Sequence, residues 1–212
     1  MDLESFKDPD GFVFNFDEKI YRCIYQNSSK NYFNIFKKDF FIHLIKEKKI
    51  ISFKEVENNF FDKFKKIKKN DKILNLDKID FFSSPYEWPF DQLKDAAIFH
   101  LDLETFLLQN NHCLKDASAK NIIFNNNKPL FIDLLSFKEY KEGDFWLGQI
   151  QFYQEFLNPL LLKSKPIKNH SLDERNNCKR VFLAYHWITF FFDSLIRFLR
   201  SFGSYFQCGE VE

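Results

Sequence analysis

The chain has 212 residues, of which 45% are apolar and 29% are charged. This length suits one sizeable domain or two small lobes, and this apolar content excludes a disordered tail. The 31 basic side chains nearly cancel the 30 acidic ones. The resulting net charge of +1 argues against a large nucleic-acid-binding surface, so we expect no nucleic acid among the partners.

The four cysteines lie far apart and lack the paired spacing of a zinc site or a redox motif: Cys23, Cys113, Cys178 and Cys208. We expect them to be core residues in a reducing compartment. The acidic start of the chain lacks the basic and then apolar run of a secretory signal. The longest uncharged run near the C-terminus, 181–192, has only twelve residues and is too short to span a bilayer. These features predict a cytoplasmic protein without a transmembrane segment.

The first half of the chain predicts a small mixed unit. Residues 10–25 alternate between apolar and polar side chains around a short charged turn, which is typical of a β-hairpin. Phenylalanines at three- and four-residue steps predict an amphipathic helix over 31–49. The lysine-rich stretch 63–72 is interpreted as a solvated helix end and turn, and 72–83 as one or two short strands.

The second half predicts a buried helix followed by a loop and a hairpin. Prolines 85 and 89 bracket an extended connection, and Pro89 suits the first turn of a helix over about 89–109. A polar breaker ends this helix. A loop over 114–121 and two short strands around the polar turn 125–127 then follow, and the second strand ends in an aspartate.

This loop and hairpin carry the most informative polar residues. Asp116 is followed five residues later by Asn121, and the hairpin then delivers Asp133. Kinase-fold enzymes use the same order, with D-x-x-x-x-N in the catalytic loop and a metal-binding aspartate after a hairpin. The order therefore predicts Asp116 as the catalytic carboxylate that accepts the proton of a substrate hydroxyl. Asn121 and Asp133 offer the hard oxygen ligands that suit Mg²⁺ bound to ATP.

The order of elements predicts an α+β chain with a protein-kinase-like, two-lobed fold. A small β-rich N-lobe would span 1–84, and a helical C-lobe with the Asp/Asn loop and hairpin would span 85–170. Arg22, on the second strand of the first hairpin, would stand where a kinase places its phosphate-pairing lysine. A solvent-facing strand arginine is the alternative. Lys115, beside Asp116, is assigned with Arg22 to the phosphates of the cofactor.

Several long blocks resemble a bacterial family whose members are named class I SAM-dependent methyltransferases. The blocks are PYEWPF at 85–90, LKDAA at 93–97, LKDASAKN at 114–121, FIDLLSF at 131–137 and QFYQEFLNPL at 151–160, and the opening DPDGFVF with IYR is also similar. The resemblance covers about 8–162, roughly three quarters of the chain. In that family the methyltransferase domain follows the part matched here. The resemblance therefore implies that this domain is absent from the present chain, either lost or supplied by a separate partner.

Glycine usage departs from what a SAM site or a protein kinase requires. The only glycines are at 11, 143, 148, 203 and 209, so neither a G-x-G-x-x-G turn nor a glycine-rich loop over ATP phosphates is present. Because a Rossmann-type site needs that close backbone approach, we do not expect SAM to bind this chain alone.

The tail, 171–212, changes its basic residues from lysine to arginine. Either the C-lobe is divergent, or the chain is truncated or frameshifted and its tail is foreign to the family. For the tail we predict a helix over 181–206 that docks weakly.

Two functions remain open from the sequence. One is a kinase-like module that binds Mg-ATP and transfers phosphate to a small-molecule hydroxyl. The other is a non-catalytic pseudoenzyme or interaction module that serves a methyltransferase domain.

Overall fold

The computed structural model describes residues 8–60, 62–79 and 83–164, which belong to one compact unit, Met1–Lys165. The chain opens with the predicted hairpin, made of β1 (Gly11–Phe16) and β2 (Lys19–Ile24) in antiparallel register. Asp17 and Glu18 form its turn with positive φ angles of 52° and 58°. The alternation of side chains therefore predicted this hairpin correctly.

Two further strands extend the hairpin into a four-stranded antiparallel sheet. β3 (Phe53–Val56) and β4 (Lys72–Leu76) give the strand order β1–β2–β4–β3, so β2 is an inner strand. β4 lies within the predicted strand region, whereas β3 was not predicted. One face of the sheet carries an aromatic-rich core that consists of Phe12, Phe14, Tyr21, Cys23, Phe60, Ile67 and Ile73.

The helix predicted over 31–49 is in fact two helices, α1 (Gln26–Phe36) and α2 (Asp39–Lys46). Lys38 between them has an extended backbone, with ψ of 145°. In one straight helix, side chains five residues apart would point about 140° away from each other. The break instead lets Phe36 and Phe41 pack with ring centroids 4.9 Å apart, which joins both helices to one core.

The lysine-rich stretch before β4 contains turns and no helix among its described residues. Asp71 organises these turns, because its carboxylate accepts hydrogen bonds from Lys68 N at 2.8 Å and from Gln26 N at 3.0 Å. The second bond also satisfies a free N–H group at the start of α1. The predicted helix end was therefore wrong, while the predicted turn was correct.

The second part of the chain is mainly helical. A short turn at Pro85–Glu87 leads into α3 (Phe90–Gln109), which matches the predicted helix. Four short strands pair as β5 (His112–Leu114) with β8 (Phe137–Glu139), and β6 (Ile122–Asn125) with β7 (Lys128–Phe131). A helical segment follows, consisting of α4 (Gln149–Phe152), a π-helical turn (Tyr153–Leu157) and α5 (Asn158–Ser164).

These elements confirm the α+β class, with a β-rich first part and a mainly helical second part in the order expected of a kinase-like chain. Across the described residues, none of the helices has the length and apolar character needed to cross a membrane. The boundaries at 84 and 170 remain predictions. The predictions for the tail concern residues outside those that the structure describes.

Candidate functional site

The loop between β5 and β6 carries Asp116 and Asn121. A 3₁₀ turn over Ala119–Asn121 shortens the loop, and Asn121 N donates to Ser118 O at 3.1 Å. The Asn121 side chain thereby reaches back, and its Nδ2 donates to Asp116 Oδ1 at 3.0 Å. The structure thus places the predicted carboxylate and the predicted amide in direct contact.

Asp133 lies just beyond β7, at the other end of the β6–β7 hairpin. Ile132 N donates to the Asn121 carbonyl at 2.8 Å. The residue before Asp133 is therefore bonded to the loop that carries Asp116 and Asn121. Leu135 N donates to Asp133 Oδ1 at 3.1 Å and fixes the carboxylate. The hairpin therefore delivers Asp133 beside the loop that holds Asp116 and Asn121.

Ser136 joins the two segments, a role that the sequence did not indicate. Its buried hydroxyl donates to Asp116 Oδ1 at 2.8 Å, and its carbonyl accepts from Lys115 N at 2.7 Å. Asp116 Oδ1 therefore accepts two hydrogen bonds, one from each segment. No hydrogen bond to Oδ2 is found among the described residues, so this oxygen remains able to accept a proton from a ligand.

Arg22 reaches the site from the inner strand β2. Its side chain is only 9% exposed, and Nη2 lies 3.2 Å from Asp133 Oδ1 and in closer contact with Asp8 Oδ2. Arg22 is therefore buried beside Asp133, and the alternative of a solvent-facing arginine is wrong. The assignment of Arg22 to a phosphate remains a prediction.

The pKa of Asp133 is raised, and burial is the largest cause. The charge of Arg22 and the hydrogen bond from Leu135 lower this pKa, whereas the negative charges of Asp116 and Asp8 raise it. A cation placed at the carboxylate would favour its ionised form.

The Lys115 side chain contacts Asp10 and Tyr32. Its Nζ lies 2.7 Å from Asp10 Oδ2, contacts the Tyr32 hydroxyl and stands 5.0 Å from the centre of the Tyr32 ring. The predicted phosphate-binding lysine and Arg22 therefore both contact aspartates of one short segment, residues 8–10.

The residues fit a magnesium ion shared with phosphate oxygens better than a closed protein cage. Among the residues that the structure describes, no three His, Cys, Asp or Glu side chains are grouped so as to hold a metal ion. Asn121 Oδ1 and Asp133 Oδ2 accept no hydrogen bond within the same described ranges, so each can serve as an oxygen ligand. Mg²⁺ commonly takes only one or two protein ligands, with phosphate oxygens and water completing its octahedron.

The backbone of the Asp116 loop is held by two side chains from the helical segment after Gly148. Gln151 Oε1 accepts from Ala117 N at 3.1 Å, and Glu155 Oε2 accepts from Ala119 N at 2.7 Å and from Ser118 Oγ at 3.1 Å. Gln151 Nε2 also donates to Glu155 Oε1 at 2.9 Å. We call Gln151 and Glu155 the loop clamp, since together they fix the residues directly after Asp116.

We expect Glu155→Ala to loosen this loop, because it leaves three partly buried donors, two of them in the loop, without their acceptor. The loss should be about 2 kcal/mol in the free energy of unfolding. Urea denaturation measures that change, and amide hydrogen exchange should show faster exchange at Ala119. Gln154→Ala, an exposed neighbour on the same helical segment, is the matched control. Unchanged exchange at Ala119 in the Glu155 variant would contradict the clamp.

Sequence reasoning missed the loop clamp, Ser136, Asp8, Asp10 and Tyr32. The pair Gln151 and Glu155 gave one available signal, since polar residues four apart share a helix face. Nothing in the local sequence around Tyr32 or Ser136 indicates their long-range partners.

Chemically, the site offers one partly free carboxylate, two oxygen ligands for a metal, and a buried guanidinium. These are the groups that phosphoryl transfer requires for orienting a hydroxyl and neutralising phosphate charge. Both cations of the site are, however, already paired with carboxylates of this chain.

The chain is similar in sequence to Nodulation protein NoeA of Rhizobium meliloti (strain 1021). The two are 36% identical over 168 residues, which make up 79% of this chain and 34% of that protein. The chain thus spans about a third of the length of the relative it matches. No family model matches the chain.

Two solved structures are similar to the chain at a lower level. Vaccinia related kinase 3 is 12% identical with a TM-score of 0.43, and the match covers 64% of this chain and 47% of that one. The Cydia pomonella granulovirus kinase PK-1 is 15% identical with a TM-score of 0.42, covering 67% and 55%. The chain's own order of elements and the contacts of its loop and hairpin are those expected of a kinase-like chain.

Proposed function

We propose that the chain is a kinase-like module that binds Mg-ATP at Asp116, Asn121, Asp133 and Arg22. The observation that carries this proposal is that Arg22, from the first hairpin, meets the Asp116, Asn121 and Asp133 set of the later loop and hairpin. Asn121 lies 3.0 Å from Asp116, and Arg22 lies 3.2 Å from Asp133. A buried ion pair combined with a hydrogen-bonded carboxylate is a costly arrangement that a folded core alone does not need.

In this proposal each residue has a separate task. Asn121 Oδ1 and Asp133 would hold Mg²⁺, which supplies charge neutralisation for the phosphate oxygens when bound. Arg22 would pair with a phosphate oxygen. The phosphoryl group would leave the nucleoside diphosphate as its phosphorus bonds to a small-molecule hydroxyl oxygen, and Asp116 would take the hydroxyl proton.

Ligand-induced stabilisation tests the binding step. Because a ligand that binds only the folded state raises its stability by mass action, millimolar Mg-ATP should raise the melting temperature of the wild type. Asp133→Asn should abolish the shift by removing a charged ligand. Asp77→Asn, an exposed aspartate on the same chain, should retain it. Absence of a shift in the wild type would refute the Mg-ATP-binding proposal.

A second candidate is a pseudoenzyme that no longer transfers phosphate. It is favoured by the pairing of Lys115 with Asp10 and of Arg22 with Asp8, together with the absence of a glycine-rich loop from the sequence. Binding of Mg-ATP without turnover of any hydroxyl substrate would support this candidate.

The resemblance described above adds a proposed partner. We propose that the module acts in the cytoplasm beside a methyltransferase domain or subunit, with 1–84 and 85–170 as its two lobes. Co-purification of this chain with a SAM-binding protein would support the partnership.

A further inference from the structure

Three carboxylates surround the two cations of the proposed site. Asp8 contacts Arg22, Asp10 Oδ2 lies 2.7 Å from Lys115 Nζ, and Asp133 lies 3.2 Å from Arg22. Two of these carboxylates belong to Asp8–Asp10, which we call the acidic segment. It directly precedes β1, and Asp10 N donates to Asp8 Oδ1 at 2.9 Å, so the two aspartates are held as a pair.

The acidic segment is anchored from several sides. Ser28 Oγ lies 2.6 Å from Asp10 Oδ1, and the Tyr32 hydroxyl lies 2.5 Å from Asp10 Oδ2 and 2.9 Å from the Leu135 carbonyl oxygen. Burial acting alone would raise the pKa of Asp10, but hydrogen bonds from Lys115, Ser28 and Tyr32 outweigh it and lower the pKa to about 2. Asp10 therefore stays ionised at every physiological pH and remains a counter-ion of Lys115.

This charge arrangement disfavours a polyphosphate unless something moves. The two cations carry a charge of +2, and the three ionised carboxylates would together carry −3. A ligand with several negative charges would meet an excess of like charge at Arg22 and Lys115. Phosphate oxygens can take these cations only where the carboxylates of Asp8 and Asp10 leave them.

We propose, on the basis of the function proposed above, that Asp8 and Asp10 stand in for two anionic groups of a polyphosphate ligand. The ligand then binds by exchange, with its phosphates replacing the carboxylates on Arg22 and Lys115 while the side chains of Asp8 and Asp10 turn away from these cations. The segment is thus a built-in competitor that lowers the affinity of the site. A ligand with linked phosphates can replace both carboxylates together, whereas a single phosphate cannot.

Titration calorimetry with inorganic tripolyphosphate, in the absence of metal, tests this exchange. The variant Asp8→Asn/Asp10→Asn should bind tripolyphosphate at least about tenfold more tightly than the wild type, because the competing charges are gone. Asp17→Asn/Glu18→Gln removes the same number of negative charges from the exposed β1–β2 turn and should match the wild type. Inorganic orthophosphate should bind the double variant far more weakly than tripolyphosphate does.

The single variant Asp8→Asn keeps the contacts of Asp10 with Ser28 and Tyr32, so it serves if the double variant does not fold. It should also bind tripolyphosphate more tightly than the wild type, by a smaller factor. Equal or weaker binding by the folded variants, or no binding by any of them, would overturn the proposal.

The metal-free probe also separates this inference from the proposed function. Tripolyphosphate without Mg²⁺ does not need Asn121 or Asp133 as metal ligands. Suppose that the variants bind tripolyphosphate more tightly but that neither they nor the wild type respond to Mg-ATP. The exchange inference would then be supported, and the proposal that the site binds Mg-ATP would be refuted. If the wild type responds to Mg-ATP but the variants bind tripolyphosphate no more tightly, the Mg-ATP proposal would be supported and the exchange inference refuted.

Discussion

Gly11→Ala is expected to destabilise the protein by about 3 kcal/mol or more, because the added methyl group would overlap the backbone of the neighbouring strand. A Cβ atom at position 11 would stand 2.0 Å from the Cys23 carbonyl oxygen and 3.2 Å from Ile24 Cα. Neither contact involves a flexible side chain that could turn away. β1 and β2 would therefore have to separate at this end of the sheet.

Separation of the two strands should also disturb the proposed site. Gly11 directly follows Asp10, and its close neighbour Cys23 directly follows Arg22. The close approach of the strands at Gly11 is what brings the acidic segment against Arg22. Urea unfolding measures the loss of stability, and Asn15→Ala, at an exposed position of β1, should change it little. A stability loss at Gly11 no larger than that at Asn15 would show that the strand can yield.

The parts of the fold that could be predicted are those with local, repeated patterns. Alternation over 10–25 predicted the first hairpin because one face of these strands is buried and the other is not. The Asp116, Asn121 and Asp133 set could be found because a short loop and a tight hairpin fix its geometry within eighteen residues of chain. Such local constraints leave little freedom for distant parts of the structure to override.

The missed features depend on distant partners or on very short elements. β5 and β8 have three residues each, too few to show a period. Lys115 and Asp10 lie 105 positions apart in the sequence, so neither residue alone indicates the other. The break between α1 and α2 follows from packing of Phe36 on Phe41, which periodicity alone cannot foresee.

His100 is another residue whose environment the sequence does not indicate. It is fully buried on α3, and neither ring nitrogen has a hydrogen-bond partner among the residues that the structure describes. Its ring packs near Phe152 and Phe156, with centroids 5.7 and 5.8 Å away. The burial of this ring lowers the pKa of His100 to about 4.

Glu104 lies one helical turn beyond His100 and is also buried, but burial shifts its pKa in the opposite direction. It is 5% exposed, and Oε2 accepts from Leu114 N at 3.0 Å, while Oε1 has no hydrogen-bond partner in the described part of the chain. Burial raises the pKa of Glu104 to about 7, against smaller lowering effects from the Leu114 hydrogen bond and Lys138. This carboxyl group anchors the strand that leads into Lys115 and Asp116.

The two groups should make opposite contributions to the pH dependence of stability. For Glu104 the folded state binds the proton more tightly than the unfolded state, so stability falls as pH rises from the ordinary value of 4.5 to about 7. For His100 the unfolded state binds the proton more tightly, so stability falls as pH drops from 6.5 to about 4. Each contribution amounts to about 3.5 kcal/mol at most, from about 1.4 kcal/mol per pKa unit.

We therefore expect single variants to expose slopes of opposite sign that nearly cancel in the wild type between pH 4.5 and 6.5. Glu104→Gln keeps the size of the side chain and removes its titration, so its stability relative to the wild type should increase as pH rises over this range. His100→Leu should show the reverse, with relative stability decreasing as pH rises. Urea unfolding of the three proteins at half-unit pH steps gives these differences directly. Parallel curves for all three would mean that burial shifts the pKa of neither group.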